Sequence, residues 1–308
     1  MIDFACGTGG FLVSALNHMK ESAEDTSSNE ELKKSFYGVE KKSLPYLLCT
    51  TNMLLHDINE PNIIRGNSLE KNVRDYEEED KFDVILMNPP YGGTEKKSVQ
   101  QNFPLELRNS ETADLFMVEI LYRLKQNGRV GIVLPDGFLF GTDNTKVAIK
   151  KKLMEECNLH TIIRLPGSIF APYTSIATNL LFFDKTGPTK ETWFYRMDLP
   201  EGYKAFSKTK PVELKHFGEV INWWNNRITI KDEKIDDTLS ETWKSKKFLI
   251  DEIKELNYDL DQCGYPKEEE IILTPKETMN NFIKKRENLE RQLDEKLKDI
   301  IAIIGELE

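Results

Sequence analysis

Excess positive charge is missing: the 308 residues carry 42 Lys and Arg against 52 Asp and Glu, a formal net charge of −10. This disfavours an autonomous nucleic-acid binder that relies on bulk positive charge. A local basic groove, or a partner that supplies most of the phosphate contacts, stays open. Cysteine is scarce, and Cys6, Cys49, Cys157 and Cys263 lie far apart with no CxxC pair. Neither a disulfide framework nor a zinc or other metal site is readable from them, and a reducing cytoplasm fits best. Long apolar runs are lacking too. No charged segment leads into an apolar stretch of about 7–15 residues and no run reaches about 18, so secretion signals and membrane spans are unsupported. Internal repeats and low-complexity tracts are absent. What remains, with 39% hydrophobic and 31% charged residues, is a globular composition.

Short β-rich runs alternate with longer segments of helical period, the pattern of a doubly wound α/β fold with a mainly parallel sheet covered on both faces. Strands are expected at 2–4, 35–40, 62–65, 82–88, 128–134, 161–165 and 176–183, and helices at 10–20, 43–56, 112–125 and 145–157. In the second helix Leu44, Leu47, Leu48, Thr51, Leu54 and Leu55 recur at three- and four-residue steps, with Pro45 in the first turn where its missing N–H costs little. Residues 21–34 read as a Ser/Glu-rich loop and 91–110 as a long unpatterned one, the latter a candidate for function. Residues 192–197 read as an edge strand, and 199–246 as polar and turn-rich. The expected organisation is a domain at 1–185, an extension at 186–275 and a C-terminal amphipathic helix at 276–308. In that helix Leu289, Leu293, Leu297, Ile300, Ile304 and Leu307 form a near-heptad seam that either folds onto its own domain or docks a partner subunit. The amino end reads as truncated, because Ile2-Asp3-Phe4 already looks like a strand entering a glycine turn.

Three segments carry chemistry. The first, Asp3-Phe4-Ala5-Cys6-Gly7-Thr8-Gly9-Gly10-Phe11-Leu12, joins a strand end to a helix start through glycines. It lets the backbone approach a ligand beside free helical N–H groups, although it is also ordinary turn chemistry. The second is Glu40, at the end of the next strand, where an acidic side chain can accept both ribose hydroxyls of a nucleoside cofactor. The third is Asp83-Val84-Ile85-Leu86-Met87-Asn88-Pro89-Pro90-Tyr91, a strand that the two prolines must stop. At its tip the Asn88 side-chain oxygen and the Pro89 carbonyl suit the two N–H bonds of an exocyclic amine, and Tyr91 could stack on the attached base.

This set, in this order, resembles the amino-group class of S-adenosyl-L-methionine-dependent DNA methyltransferases. More narrowly it resembles the modification subunit of type I restriction-modification systems. The narrower likeness rests on the glycine turn, on Gly128-Arg129-Val130-Gly131-Ile132-Val133-Leu134-Pro135-Asp136-Gly137, and on Leu165-Pro166-Gly167-Ser168-Ile169-Phe170-Ala171-Pro172-Tyr173-Thr174-Ser175 with Thr178-Asn179-Leu180-Leu181-Phe182-Phe183. The resemblance implies that S-adenosyl-L-methionine is the cofactor. Asp3, Cys6, Gly7, Thr8 and Gly9, with Gly10 and Phe11, would hold its methionine end and Glu40 its ribose. Asn67 and Ser68 would lie near its adenine, where the family often has Asp instead of Asn. Asn88, Pro89, Pro90 and Tyr91 would be catalytic, and Tyr91, Phe170 and Tyr173 would touch the target base, with ordinary packing as the other reading of the last two.

The implied reaction is methylation of adenine N6 in double-stranded DNA, the base being flipped out of the duplex. An aromatic amine is a poor nucleophile, and two acceptors on its N–H bonds would localise and aim its lone pair. No Pro-Cys pair lies near the site, which argues against methylation at the 5-position of cytosine. The implied partners are DNA, a DNA-specificity subunit, a restriction subunit and a second modification subunit; no membrane is implied. Because the family carries a helical region before the glycine turn, the 308-residue chain by itself is expected to bind the cofactor weakly or not at all. An assembly subunit that only binds a specificity subunit is the alternative, and a protein-glutamine or RNA-base methyltransferase a more distant one.

Overall fold

The β-rich runs become the strands of one mixed sheet in the structure, a computed structural model that describes residues 1–21, 26–232 and 242–265 together with Met279, Phe282, Ile283, Arg286, Glu290 and Arg291. In chain order the elements are β1 (Ile2–Asp3), α1 (Gly10–Lys20), α2 (Thr26–Lys34), β2 (Tyr37–Glu40), α3 (Ser43–Leu55), β3 (Asn62–Arg65), β4 (Phe82–Met87), α4 (Lys97–Gln100), α5 (Thr112–Arg123), β5 (Leu124–Pro135), α6 (Asp136–Phe140) and α7 (Asn144–Glu156). They continue with β6 (Asn158–Arg164), β7 (Thr178–Asp184), β8 (Glu191–Arg196), α8 (Gly218–Asn225), β9 (Ile230–Lys231), β10 (Trp243–Leu249) and α9 (Ile250–Glu255).

Among the described residues the strand order is β3-β2-β1-β4-β5-β7-β6-β8-β10-β9. The first five strands in that order are parallel to one another, and β6 is parallel to β8. Strand β7 runs antiparallel between β5 and β6, and β10 pairs antiparallel with β8 and β9. The winding reverses at β1, where Ile2 pairs Tyr37 on one side and Ile85 on the other. Ligands of open α/β sheets bind at such a reversal, outside the carboxyl ends of the strands.

Side-chain alternation divides the core between the two faces of the sheet. Ile85 and Met87 of β4, Val130 and Ile132 of β5 and Leu181 and Phe183 of β7 pack under α5, α7 and α9. On the opposite face Leu12 and Leu16 of α1 and Cys49 and Met53 of α3 cover Phe36 and Ile63. Further along that face, Val220 and Trp223 of α8 cover Ile163 and Tyr195. Between these last two clusters Val84, Leu86, Gly131 and Phe182 line a shallow cavity of about 250 Å³.

Several expectations need correction. Residues 26–34 of the expected loop form α2. The 192–197 strand is no edge: β8 is flanked by β6 and β10, with Phe194 and Tyr195 buried. The stretch 199–246 supplies α8 and the start of β10, so the sheet continues past residue 185. Most unexpectedly, the leucine face of α3 points outward, with Leu44, Leu47, Leu48, Leu54 and Leu55 between 46% and 77% exposed. The inward face carries Cys49 because the glycine turn approaches closely: a Cβ on Gly9 would lie 2.8 Å from Cys49 Sγ. Apart from six residues that are helical and exposed, the expected 276–308 helix lies outside the described residues. Pro266–Glu308 is a unit separate from Met1–Tyr265.

Candidate functional site

A cavity of about 470 Å³ opens at the carboxyl ends of β1, β2, β3 and β4, where the winding reverses. Its lining includes Phe4, Ala5, Glu40, Lys41, Gly66, Asn67, Ser68, Asn88, Pro90, Gly93, Glu95 and Phe116. Residues from all three segments singled out in the sequence, together with residues 66–68 and 116, thus meet in one volume, of the size that takes a small molecule.

Phe4 and Ala5, which lead into the glycine turn, line one wall. Gly7 and Gly9 hold φ at +54° and +82°, a left-handed backbone that glycine enters without a Cβ penalty. The turn closes through Gly9 N–H donating to the Cys6 carbonyl at 2.8 Å, and Cys6 N–H ties it to the Val39 carbonyl at 3.0 Å. Asn52 of α3 donates to the Thr8 carbonyl at 3.0 Å. Below the turn Asp3 is buried, and its Oδ1 accepts from Ala5 N–H at 3.0 Å. Burial pushes the Asp3 carboxyl up to about 7, the Ala5 amide pulling it back and the Glu40 charge adding to the rise.

Glu40 stands at the end of β2 facing the turn. Its Oε2 accepts from Gly7 N–H at 3.0 Å and its Oε1 from Lys42 N–H at 2.7 Å. A carboxylate has about four lone-pair sites, so acceptor capacity remains for two further hydroxyl donors. Two peptide N–H groups orient it, and the cavity lies in front of it.

At the end of β4 the chain stops at Pro89 and Pro90, leaving Asn88 exposed at the cavity. The Tyr91 hydroxyl donates to Asn88 Oδ1, and burial holds that hydroxyl above the usual phenol range. In this state the acceptor that an incoming amine would need is covered by Tyr91.

Of the remaining predicted residues, Ser68 donates from Oγ to the Phe4 carbonyl at 2.5 Å. Asn67 caps a single helical turn, its Oδ1 accepting from Leu69 N–H at 3.3 Å. Phe170 and Tyr173 sit on the connection between β6 and β7 and do not line the cavity. Phe170 packs against the Ile163 cluster, whereas Tyr173 is 92% exposed. Asp3, Cys6, Gly7, Thr8, Gly9, Gly10 and Phe11 belong to β1, the turn and the start of α1 without lining the cavity, and neither Pro89 nor Tyr91 lines it. Among the described residues no group of three His, Cys, Asp or Glu side chains could hold a metal ion, and no helix is long and apolar enough to cross a membrane.

Lys41, Glu95 and Phe116 line the cavity although no sequence motif marked them. Lys41 immediately follows Glu40, and that adjacency was the one available signal. Glu95 lies in the expected unpatterned loop, which pairs back on itself: Thr94 bridges Glu111, Glu95 N–H donates to the Ser110 carbonyl at 3.0 Å and Thr112 N–H to the Gly93 carbonyl at 3.0 Å.

Residues 1–272 match the family model for N-6 DNA methylase. The chain is 45% identical over 304 residues to the type I restriction enzyme EcoEI methylase subunit of Escherichia coli, an alignment covering 98% of this chain and 60% of that protein. A structure described under complex assembly and conformational transition of the type I R-M system superposes with a TM-score of 0.75 at 36% identity, covering 96% of this chain and 60% of the other. The crystal structure of the type I restriction enzyme EcoKI M protein superposes at a TM-score of 0.70 with 25% identity, covering 96% and 68%. The doubly wound α/β architecture is thus shared with type I modification subunits. This chain spans about three-fifths of the length of the EcoEI relative.

Proposed function

The chain belongs to the N-6 DNA methylase family, and from that premise we propose that the cavity at β1, β2 and β4 takes S-adenosyl-L-methionine and that the chain is the catalytic part of a type I modification subunit, methylating adenine N6 in double-stranded DNA. The observation that carries this reading is the convergence of Glu40 and Asn88 on one cavity, from the ends of the strands on either side of β1. The residues present fit the cofactor: a carboxylate with spare acceptor capacity suits a ribose diol, and Gly7, with open space where a Cβ would stand, leaves room for a close approach. When bound, the cofactor supplies an electrophilic methyl group on a sulfonium.

The chain's own residues do the rest. Glu40, held by Gly7 and Lys42 N–H groups, accepts the ribose hydroxyls. Asp3, Cys6, Gly7, Thr8, Gly9, Gly10 and Phe11 surround the methionine end, with Asp3 supplying negative charge from beneath the turn. Asn88 Oδ1 and the Pro89 carbonyl each accept one N–H of the target amine, which localises the nitrogen lone pair and aims it. Tyr91 must leave Asn88 Oδ1 for this to happen, and its ring then stacks on the flipped base, offsetting part of a flipping cost of a few kcal/mol. Pro90 fixes the strand end that presents these groups. Tyr173, open to solvent, and Phe170 approach the target base from the connection between β6 and β7.

A net charge of −10 favours delegation of sequence reading to a DNA-specificity subunit, with a restriction subunit and a second modification subunit completing the assembly. The assembly-only reading is not favoured, since the Glu40 and Asn88 ends of the cavity are both in place, and a protein or RNA substrate has no support in the relatives. Equilibrium dialysis with labelled S-adenosyl-L-methionine tests the pocket. Saturable binding that falls at least tenfold in Glu40→Ala supports it, whereas equal binding by both proteins overturns it.

A further inference from the structure

Asn67, at the edge of the cavity, has both ends of its side-chain amide engaged. Its Oδ1 accepts from Leu69 N–H at 3.3 Å and its Nδ2 donates to Glu95 Oε1 at 3.2 Å. Glu95 Oε1 also takes the Lys41 ammonium at 2.7 Å. The Glu95 side chain is only 8% exposed, yet it lines the cavity beside Lys41, Gly66, Asn67 and Ser68. Both contacts fall on Oε1, so Oε2 is the oxygen without a described partner.

The backbone of Glu95 is fixed as well. Its N–H donates to the Ser110 carbonyl at 3.0 Å and its carbonyl accepts from Gln100 Nε2 at 2.7 Å. A carboxylate anchored at both backbone groups, and neutralised on one oxygen by an ammonium, is a fixed acceptor facing the cavity. Such a group distinguishes a purine with a 6-amino donor from one with a 6-oxo acceptor, because the oxo form brings two lone-pair-bearing oxygens together and leaves the carboxylate oxygen unpaired under the bound purine.

We propose that Glu95, held by Lys41 and Asn67, accepts the exocyclic amine of the cofactor's purine and so sets the preference for an adenine over a 6-oxo purine nucleoside. The assignment rests on the reading of this cavity as the cofactor pocket. It makes Asn67 a positioning residue and moves the recognition group to the segment that follows Asn88-Pro89-Pro90-Tyr91.

The experiment compares S-adenosylhomocysteine with its 6-oxo counterpart, S-inosylhomocysteine, by ligand-observed NMR titration, which follows affinities into the millimolar range. Wild type should prefer the adenosyl compound by roughly 10- to 150-fold, the range for a charge-assisted hydrogen bond. Glu95→Gln, whose amide can donate as well as accept, should bring the ratio to within about threefold. Glu95→Asp keeps the charge and should retain a clear adenosyl preference at weaker affinity, with circular dichroism checking that each variant is folded. An unchanged ratio in Glu95→Gln, with adenosyl binding intact, overturns the assignment and leaves the cofactor pocket standing. Failure of wild type to bind either compound overturns the pocket reading itself.

Discussion

Asp3 makes the pH dependence of cofactor binding a quantitative test. Burial raises its carboxyl to about 7, so it is about 10% ionised at pH 6, half ionised at pH 7 and about 90% ionised at pH 8. If the carboxylate is the form that attracts a sulfonium-bearing ligand, apparent affinity should drop about ninefold from pH 8 to pH 6, or about 1.3 kcal/mol. Asp3→Asn keeps the oxygen that accepts from Ala5 N–H and removes the titration. Calorimetric titration of both proteins at pH 6, 7 and 8 gives a ratio in which the ligand's own amino-group titration cancels. The ratio should approach its smallest value at pH 6 and widen steadily to pH 8. Two profiles that run parallel across the range would refute the reasoning, since the buried carboxylate would then not sense the ligand.

The tight seat of the glycine turn predicts that Gly9→Ala is destabilised by roughly 2–5 kcal/mol in urea denaturation. About 1–2 arises from its positive φ and about 1–3 from a Cβ placed 2.8 Å from Cys49 Sγ; a double-mutant cycle with Cys49→Ala should recover only the second part, and zero coupling contradicts it. Tyr91→Phe keeps the ring and uncovers Asn88 Oδ1, so methyl transfer should persist at a similar or higher rate, while Tyr91→Ala should fall by at least tenfold in kcat/KM; equal losses in both would remove stacking from the account. Glu119 is fully buried, with its carboxyl raised to about 7 and an unfolded value of 4.5. Folding therefore favours the protonated form, and the associated stability, up to about 3 kcal/mol, is present below pH 4.5 and lost as pH rises through 7. Thermal denaturation of Glu119→Gln should lack that fall, and a wild-type slope retained in the variant would contradict the assignment.

The parts of the site that the sequence made legible are those set by local backbone chemistry. Gly7 and Gly9 adopt the positive φ that their spacing suggested, Pro89 and Pro90 end β4, and Glu40 follows directly from the apolar run of β2. Glu95 was illegible because its placement depends on pairing Gly93 and Glu95 with Ser110 and Thr112, contacts remote in sequence that no local pattern records. The leucine steps of α3 gave the helix correctly but not its orientation: Cys49 and Met53 face the core, with Gly9 close against Cys49. Trp223 and Trp243 stand in otherwise polar sequence. They mark α8 and β10, whose apolar faces need only a few residues each because β6 and β8 supply the remainder.

The central claim is that Asn88, at the mouth of the Glu40 cavity, directs a methyl group to an adenine amine in DNA. It is tested most directly by incubating the chain and a DNA-specificity subunit with S-adenosyl-L-methionine labelled in its methyl group and unmodified duplex DNA, then digesting the DNA to nucleosides for mass spectrometry. Label is expected in N6-methyl-2′-deoxyadenosine from wild type. None is expected from Asn88→Ala, although that variant should still bind the cofactor. Label in protein, in RNA or in 5-methylcytosine, or undiminished adenine methylation by Asn88→Ala, would contradict it.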